Sequence, residues 1–131
     1  MPNKKLAIEW LDFARKNLET AILLNRENHY TDVISIDIQQ AIEKTFKAVY
    51  AFNNDKIPRS HDLDILFNYT SDYIKWVNIE IKELLIVNDY YQAERYPGPK
   101  YFMPDREEII KSIKLAQKIL EQVENFIYNT C

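Results

Sequence analysis

Glycine occurs once in this 131-residue chain, at Gly98. Loops that cradle phosphate need several glycines, because the backbone must approach the anion closely. A P-loop and a Rossmann fingerprint are therefore both excluded. Cysteine also occurs once, at Cys131. One thiol makes neither a disulfide framework nor a cysteine metal site. No apolar run approaches the roughly 20 residues that span a bilayer. The residues after Met1-Pro2-Asn3-Lys4-Lys5 alternate apolar with charged and form no signal-peptide core, so a cytoplasmic location is the expectation. The net charge of −3 argues against a uniformly basic nucleic-acid face and leaves room for a local basic site. His29 and His61 are the only histidines, with no H-x-x-x-H or E-x-x-H pairing. Neither a metal centre nor a cofactor is expected.

What the chain does have is helical periodicity. A first helix is expected from Lys4 to Arg26, with Ala7, Trp10, Leu11, Ala14, Leu18, Ala21 and Ile22 on one face. A second covers about Asp32 to Phe52, with Ile34, Ile38, Ala41, Ile42, Thr45, Ala48, Val49 and Phe52 inward. Gln39, Gln40, Glu43, Lys44 and Lys47 fall off that stripe and read as a polar edge. Asn53-Asn54 and Pro58 end this helix. Ser60 is the expected N-cap of a short helix that buries Leu63, Leu66 and Phe67. A fourth helix is read from Tyr73 to Tyr90, with Val77, Ile81, Leu84 and Leu85 inward. Three prolines and the one glycine make Gln92–Pro104 irregular. Asp105 and Glu108, at capping-box spacing, open a fifth helix whose stripe is Ile109, Ile113, Ala116, Leu120, Val123 and Ile127. The expected fold is all-α: a single domain over 1–131, an antiparallel up-and-down bundle of four long helices and one short one. Leu6, Phe13 and Leu24 broaden the apolar surface of the first helix, so a homodimer or a helical partner is expected.

Two residues stand out for chemistry. His61 opens the short helix, and either organises that terminus or acts as a general acid–base group. Arg95 follows Asp89-Tyr90-Tyr91 and precedes Tyr96-Pro97-Gly98. Its planar fork either pairs with Asp89 or Glu94, or binds a phosphate or stacks on a base. Lys44, Lys47 and Arg59 would add positive charge if the second helix and the Arg95 corner meet at one end of the bundle. The serines have no nucleophile-elbow or triad setting.

Taken in order, Trp10-Leu11-Asp12-Phe13-Ala14-Arg15-Lys16-Asn17-Leu18, then Gln39-Gln40-Ala41-Ile42-Glu43-Lys44 with Lys47-Ala48, then His61-Asp62-Leu63, and last Arg95-Tyr96-Pro97, resemble a HEPN-domain protein of the compact prokaryotic type. The resemblance spans nearly the whole chain. It implies a helical bundle, commonly dimeric, linked to nucleotides or RNA. It also implies action beside a minimal nucleotidyltransferase, in several cases as toxin and antitoxin. HEPN ribonucleases carry an arginine followed four to six residues later by a histidine, which together act on RNA without metal. Here Arg95 is followed by Tyr96, Pro97, Gly98, Pro99, Lys100 and Tyr101, with no histidine. The resemblance thus implies a non-catalytic module whose ligand residues are Arg95, Tyr96, His61, Lys44, Lys47 and Arg59. One alternative is a metal-independent ribonuclease toxin acting through His61 and Arg95. Another is a helical adaptor without ligand.

Overall fold

The computed structural model describes residues 2–95 and 103–130, apart from the side chains of 91–95. All regular structure among the described residues is helical: α1 (Lys4–Arg26), α2 (Thr31–Phe52), α3 (Leu63–Thr70), α4 (Ile81–Arg95) and α5 (Arg106–Asn129). The all-helical bundle expected from periodicity is the fold observed.

The pairing of α1 and α2 follows from small residues. Ala7, Ala14 and Ala21 recur every seven positions, and all are fully buried, with Leu11 and Leu18 between them. A methyl at each contact lets two helices approach closely, and the intervening leucines fill the grooves. Asn3 caps α1, its side chain accepting from Leu6 N at 3.1 Å. Asn3 N also donates to Phe52 O at 2.9 Å, so α1 starts where α2 ends and the two run antiparallel. Asn28 and Asn54 carry the left-handed turns after α1 and α2, with φ of 55° and 59°. Asparagine tolerates that conformation better than most residues do.

Helix α2 is the centre of the molecule and touches all four other helices. Its expected stripe is buried in full, and so are Phe46, Tyr50 and Ala51 outside that stripe. Helix α5 lies antiparallel to α1: Lys4 Nζ donates to Tyr128 O at 3.4 Å, and Arg15 Nε to Glu124 Oε2 at 3.2 Å. At the other end Arg106 donates to Asn25 Oδ1 at 2.8 Å and to His29 O at 2.6 Å, fastening the start of α5 to the α1–α2 turn. Asp105 caps α5 as expected, accepting from Glu108 N at 2.8 Å. The whole expected stripe of α5 is buried.

Three boundaries differ from the sequence reading; one is the end of α4, which continues to Arg95 rather than stopping at Tyr90, so residues 92–95, read as irregular, are helical. Asp62, not Ser60, caps α3: it accepts from Asp64 N at 2.9 Å, while Ser60 Oγ accepts from Asp62 N at 3.1 Å. Helix α4 begins at Ile81 rather than Tyr73. Residues 73–80 instead form a connection whose apolar side chains plug the core. Ile74 is buried, and the Trp76 ring lies 5.9 Å from Phe46 and 5.6 Å from Phe67. Gln122 of α5 holds both backbone groups of Val77, accepting from its N at 2.9 Å and donating to its O at 2.8 Å. A backbone satisfied by a side chain needs no helix. The inward face of α4 shifts accordingly to Leu84, Val87 and Tyr90, whereas Val77, Ile81 and Leu85 are exposed.

Ala14→Leu will overpack the α1–α2 contact and lower unfolding stability by about 1–3 kcal/mol. Glu19→Ala, on the exposed side of α1, will change it by no more than about 0.5 kcal/mol. Urea midpoints at constant slope measure both.

Candidate functional site

Gln39, Glu43 and Lys47 stand four residues apart, in line along one side of α2. Expected at the solvent edge, all three are buried, at 0%, 4% and 6% exposure. The reason is the central place of α2: the packing of α3 and α4 leaves this side no outlet to water. A charge in such a position must find partners, because desolvation without them is costly.

Glu43 has them on both oxygens. Lys47 Nζ donates to Oε2 at 2.9 Å. Gln39 Nε2 donates to Oε1 at 3.0 Å, and the Nδ1 of His61 lies 3.0 Å from the same oxygen. Gln39 Nε2 also lies 3.3 Å from His61 O, so the backbone at His61 is held as well as the ring. Gln40 Nε2 donates to Gln39 Oε1 at 2.8 Å and fixes that amide's orientation. Nδ1 faces an ionised oxygen, so it carries the hydrogen. In the neutral ring the lone pair then sits on Nε2. The His61 side chain remains 46% exposed while its anchor, Glu43, is nearly sealed.

The other constraint on His61 comes from α4. Asn88 Oδ1 accepts from Leu63 N at 2.9 Å, and Asn88 Nδ2 donates to Asp62 Oδ1 at 3.2 Å. One amide thus joins the cap and the first turn of α3 to α4. Seven residues, or about 10.5 Å of helix axis, separate Asn88 from Arg95 at the end of α4.

Of the residues singled out from the sequence, His61 and Lys47 meet at Glu43. Lys47 does so as a buried ion pair rather than as a solvated cation. Lys44 does not join them: it turns toward α1, where its Nζ donates to Asn17 Oδ1 at 2.7 Å, and Asn17 Nδ2 donates to Asp37 Oδ1 at 3.0 Å. Arg59 is exposed two residues before His61. The Arg95 side chain and Tyr96 lie outside the described residues. His29 is exposed in the α1–α2 turn. Sequence reasoning missed Glu43 and Gln39 as anchors. Their signal was the repeated spacing of four on a helix with apolar residues on its other sides. Asn88 carried no signal at all. Among the described residues no group of three or more His, Cys, Asp or Glu side chains is placed to hold a metal ion. No helix among them is long and apolar enough to cross a membrane.

The arrangement is a half-exposed imidazole held by a buried carboxylate, with a buried ammonium behind it. Such a ring is fixed in orientation by the carboxylate at Nδ1, and imidazole is a side chain suited to proton exchange near neutral pH.

The sequence matches the HEPN domain family over residues 7–126. It is similar to the protein named “Putative toxin MJ1304” of Methanocaldococcus jannaschii, being 29% identical over 143 residues that cover 95% of this chain and 90% of that one. Among solved structures, the crystal structure of TT1696 from Thermus thermophilus is similar at a TM-score of 0.77 and 26% identity, over 92% of this chain and 97% of that one. The archaeal HEPN homologue ST0689 shares the fold at a TM-score of 0.69 and 22% identity, over the same 92% and 97%. With the family match running from the first helix into the last, this chain belongs to the HEPN domain family.

Proposed function

We propose that the chain is the toxin-type member of a two-component pair: a HEPN module that acts with a minimal nucleotidyltransferase and offers its His61 end to nucleotide or RNA. The anchored imidazole carries this reading. Glu43 holds Nδ1 of a ring whose side chain is 46% exposed. A fixed ring loses little freedom when it meets a phosphate or a base. Arg59 is exposed beside it, and Arg95 ends the helix that fastens the His61 segment. Lys44 is left out of the ligand set, because it is committed to Asn17. Lys47 acts through Glu43 rather than on ligand.

Three further observations support the reading. The relative named as a toxin covers 95% of the chain. The arginine–histidine spacing of HEPN ribonucleases is missing after Arg95, which favours binding over cleavage. Phe13 and Leu23 on α1, with Ile110 and Tyr128 on α5, are exposed apolar residues suited to pairing with a second copy. A second reading, a metal-independent ribonuclease, is favoured by the Glu43–His61 pair itself, since a carboxylate that orients an imidazole is the usual setting of a general base.

Co-expression with a minimal nucleotidyltransferase from the same genome will give a complex that survives gel filtration; separate elution of the two proteins sinks the partnership. Wild-type protein will leave total RNA uncut in EDTA and bind a labelled RNA oligonucleotide. His61→Ala will weaken that binding about tenfold or more, the worth of a hydrogen bond to a charged group. Cleavage that vanishes in His61→Ala would install the ribonuclease reading instead. If neither RNA nor nucleotide shifts the melting temperature, the chain is a ligand-free adaptor. Lys47→Met leaves the Glu43 carboxylate without its cation. It will destabilise the fold by about 3–5 kcal/mol, measured by denaturant titration.

A further inference from the structure

The exposed side of α5 carries Lys111, Lys114 and Lys118. Steps of three and four place them in one line along the helix, spread over about 10.5 Å of its axis. Like charges at these spacings repel each other and weaken a helix. None of the three forms a salt bridge among the described residues. The lysines line a cleft of about 170 Å³ together with Asn78, Glu80 and Glu83, which come from the connection before α4 and from its first turn. A second cleft of about 250 Å³, lined by Val77, Glu121 and Gln122, shares Asn78 and Lys118 with the first. The two clefts therefore adjoin at Asn78 and Lys118.

This groove is shaped by the fold itself. Gln122, one turn after Lys118, holds both backbone groups of Val77 and so pins the connection against α5 beside the lysines. Asn78 follows in the left-handed region, with φ of 57°. Its side-chain amide makes no hydrogen bond among the described residues and has two N–H donors to offer. Glu80 and Glu83 oppose an anion on the α4 side, and Glu121 opposes one in the second cleft. The path that suits a negative ligand is thus narrow: it follows the lysine line along α5 and passes Asn78.

We propose that Lys111, Lys114, Lys118 and Asn78 bind a chain of phosphates lying along α5. An anion whose charge is strung along the helix meets all three ammonium groups, and a compact one meets the nearest pair. Such a ligand also relieves the repulsion among the lysines. The groove goes beyond the role proposed for His61 and lies elsewhere: Asn88 fastens the His61 segment to α4 five residues after Glu83, on a different side of that helix. Phosphate chains occur as the backbone of single-stranded nucleic acid and as inorganic polyphosphate, and both present the same feature to the groove.

The test titrates the full chain with a short labelled RNA oligonucleotide and, separately, with tripolyphosphate. In NMR spectra a bound probe will shift the Asn78 side-chain amide and the backbone amides of Lys114 and Lys118. Those shifts will be absent when Lys111→Gln, Lys114→Gln and Lys118→Gln are combined; all three positions are exposed, so the variant keeps the fold. For RNA, the slope of log affinity against log salt will fall by about 2 in that variant, roughly 0.7 for each phosphate contact removed. Lys5→Gln, exposed on α1, will leave the slope as it is. Glu80→Gln removes a repelling charge and will tighten the binding of either probe. Shifts with RNA alone assign the groove to nucleic acid, with tripolyphosphate alone to inorganic polyphosphate, and with both to phosphate chains of either source. An Asn78 amide unmoved by both probes, or an unaltered salt slope in the triple variant, overturns the proposal. A triple variant that loses a co-expressed nucleotidyltransferase in gel filtration while its RNA slope stays intact overturns it as well, and gives the lysines to a protein contact. Because the shifts are read at Asn78 and on α5, they hold whether or not His61 meets RNA.

Discussion

A carboxylate in the middle of the central helix sets the terms for the rest of this molecule. Glu43 is almost without solvent, so its charge requires a cation and hydrogen-bond donors within reach. Lys47 and Gln39 supply them one turn away on each side, and a helix brings those positions together without further help. The remaining demand falls on a group from elsewhere in the chain. His61 meets it, and the segment from Asn53 to Asp62 is thereby held against α2. The core charge and the exposed imidazole are two ends of one arrangement. The chain gains little stability from such an arrangement compared with apolar packing, and what it gains instead is a ring in a defined pose.

The bundle is built to make that pose reproducible. Alanines at intervals of seven seat α1 tightly on α2, and α5 closes the opposite side by its apolar stripe. Asn88 ties α4 to the cap of α3, so three helices converge on the few residues around His61. The aromatic plug of Phe46, Phe67 and Trp76 fills the space beneath. Functional precision of this kind comes from the shell around a residue more than from the residue itself.

Much of the bundle was legible in the residues. The stripes of α2 and α5, the Asp105 cap and the Asn53-Asn54 turn each follow from local rules that packing did not override. The polar line on α2 was read outward because an amphipathic pattern assumes one wet side, and a helix with neighbours on every side has none. The start of α4 was misplaced because Val77, Ile81 and Leu84 fall at helical spacing, while Gln122, 45 residues away, satisfies the Val77 backbone. Asn88 was invisible for the same reason: its two partners lie 25 and 26 residues away. Of the residues named for the site, His61 and Lys47 meet at Glu43, Lys44 bonds Asn17 of α1, and the Arg95 side chain and Tyr96 lie outside the described residues.

Arg106 reaches back 81 and 77 residues to lock the turn between α1 and α2. During synthesis the first two helices therefore emerge long before the residue that clamps their hairpin. Their faces toward α5, lined by residues such as Phe52, stay wet until that helix arrives. Nascent chains of this protein will spend that interval as sticky, half-closed hairpins, within reach of chaperones and of one another.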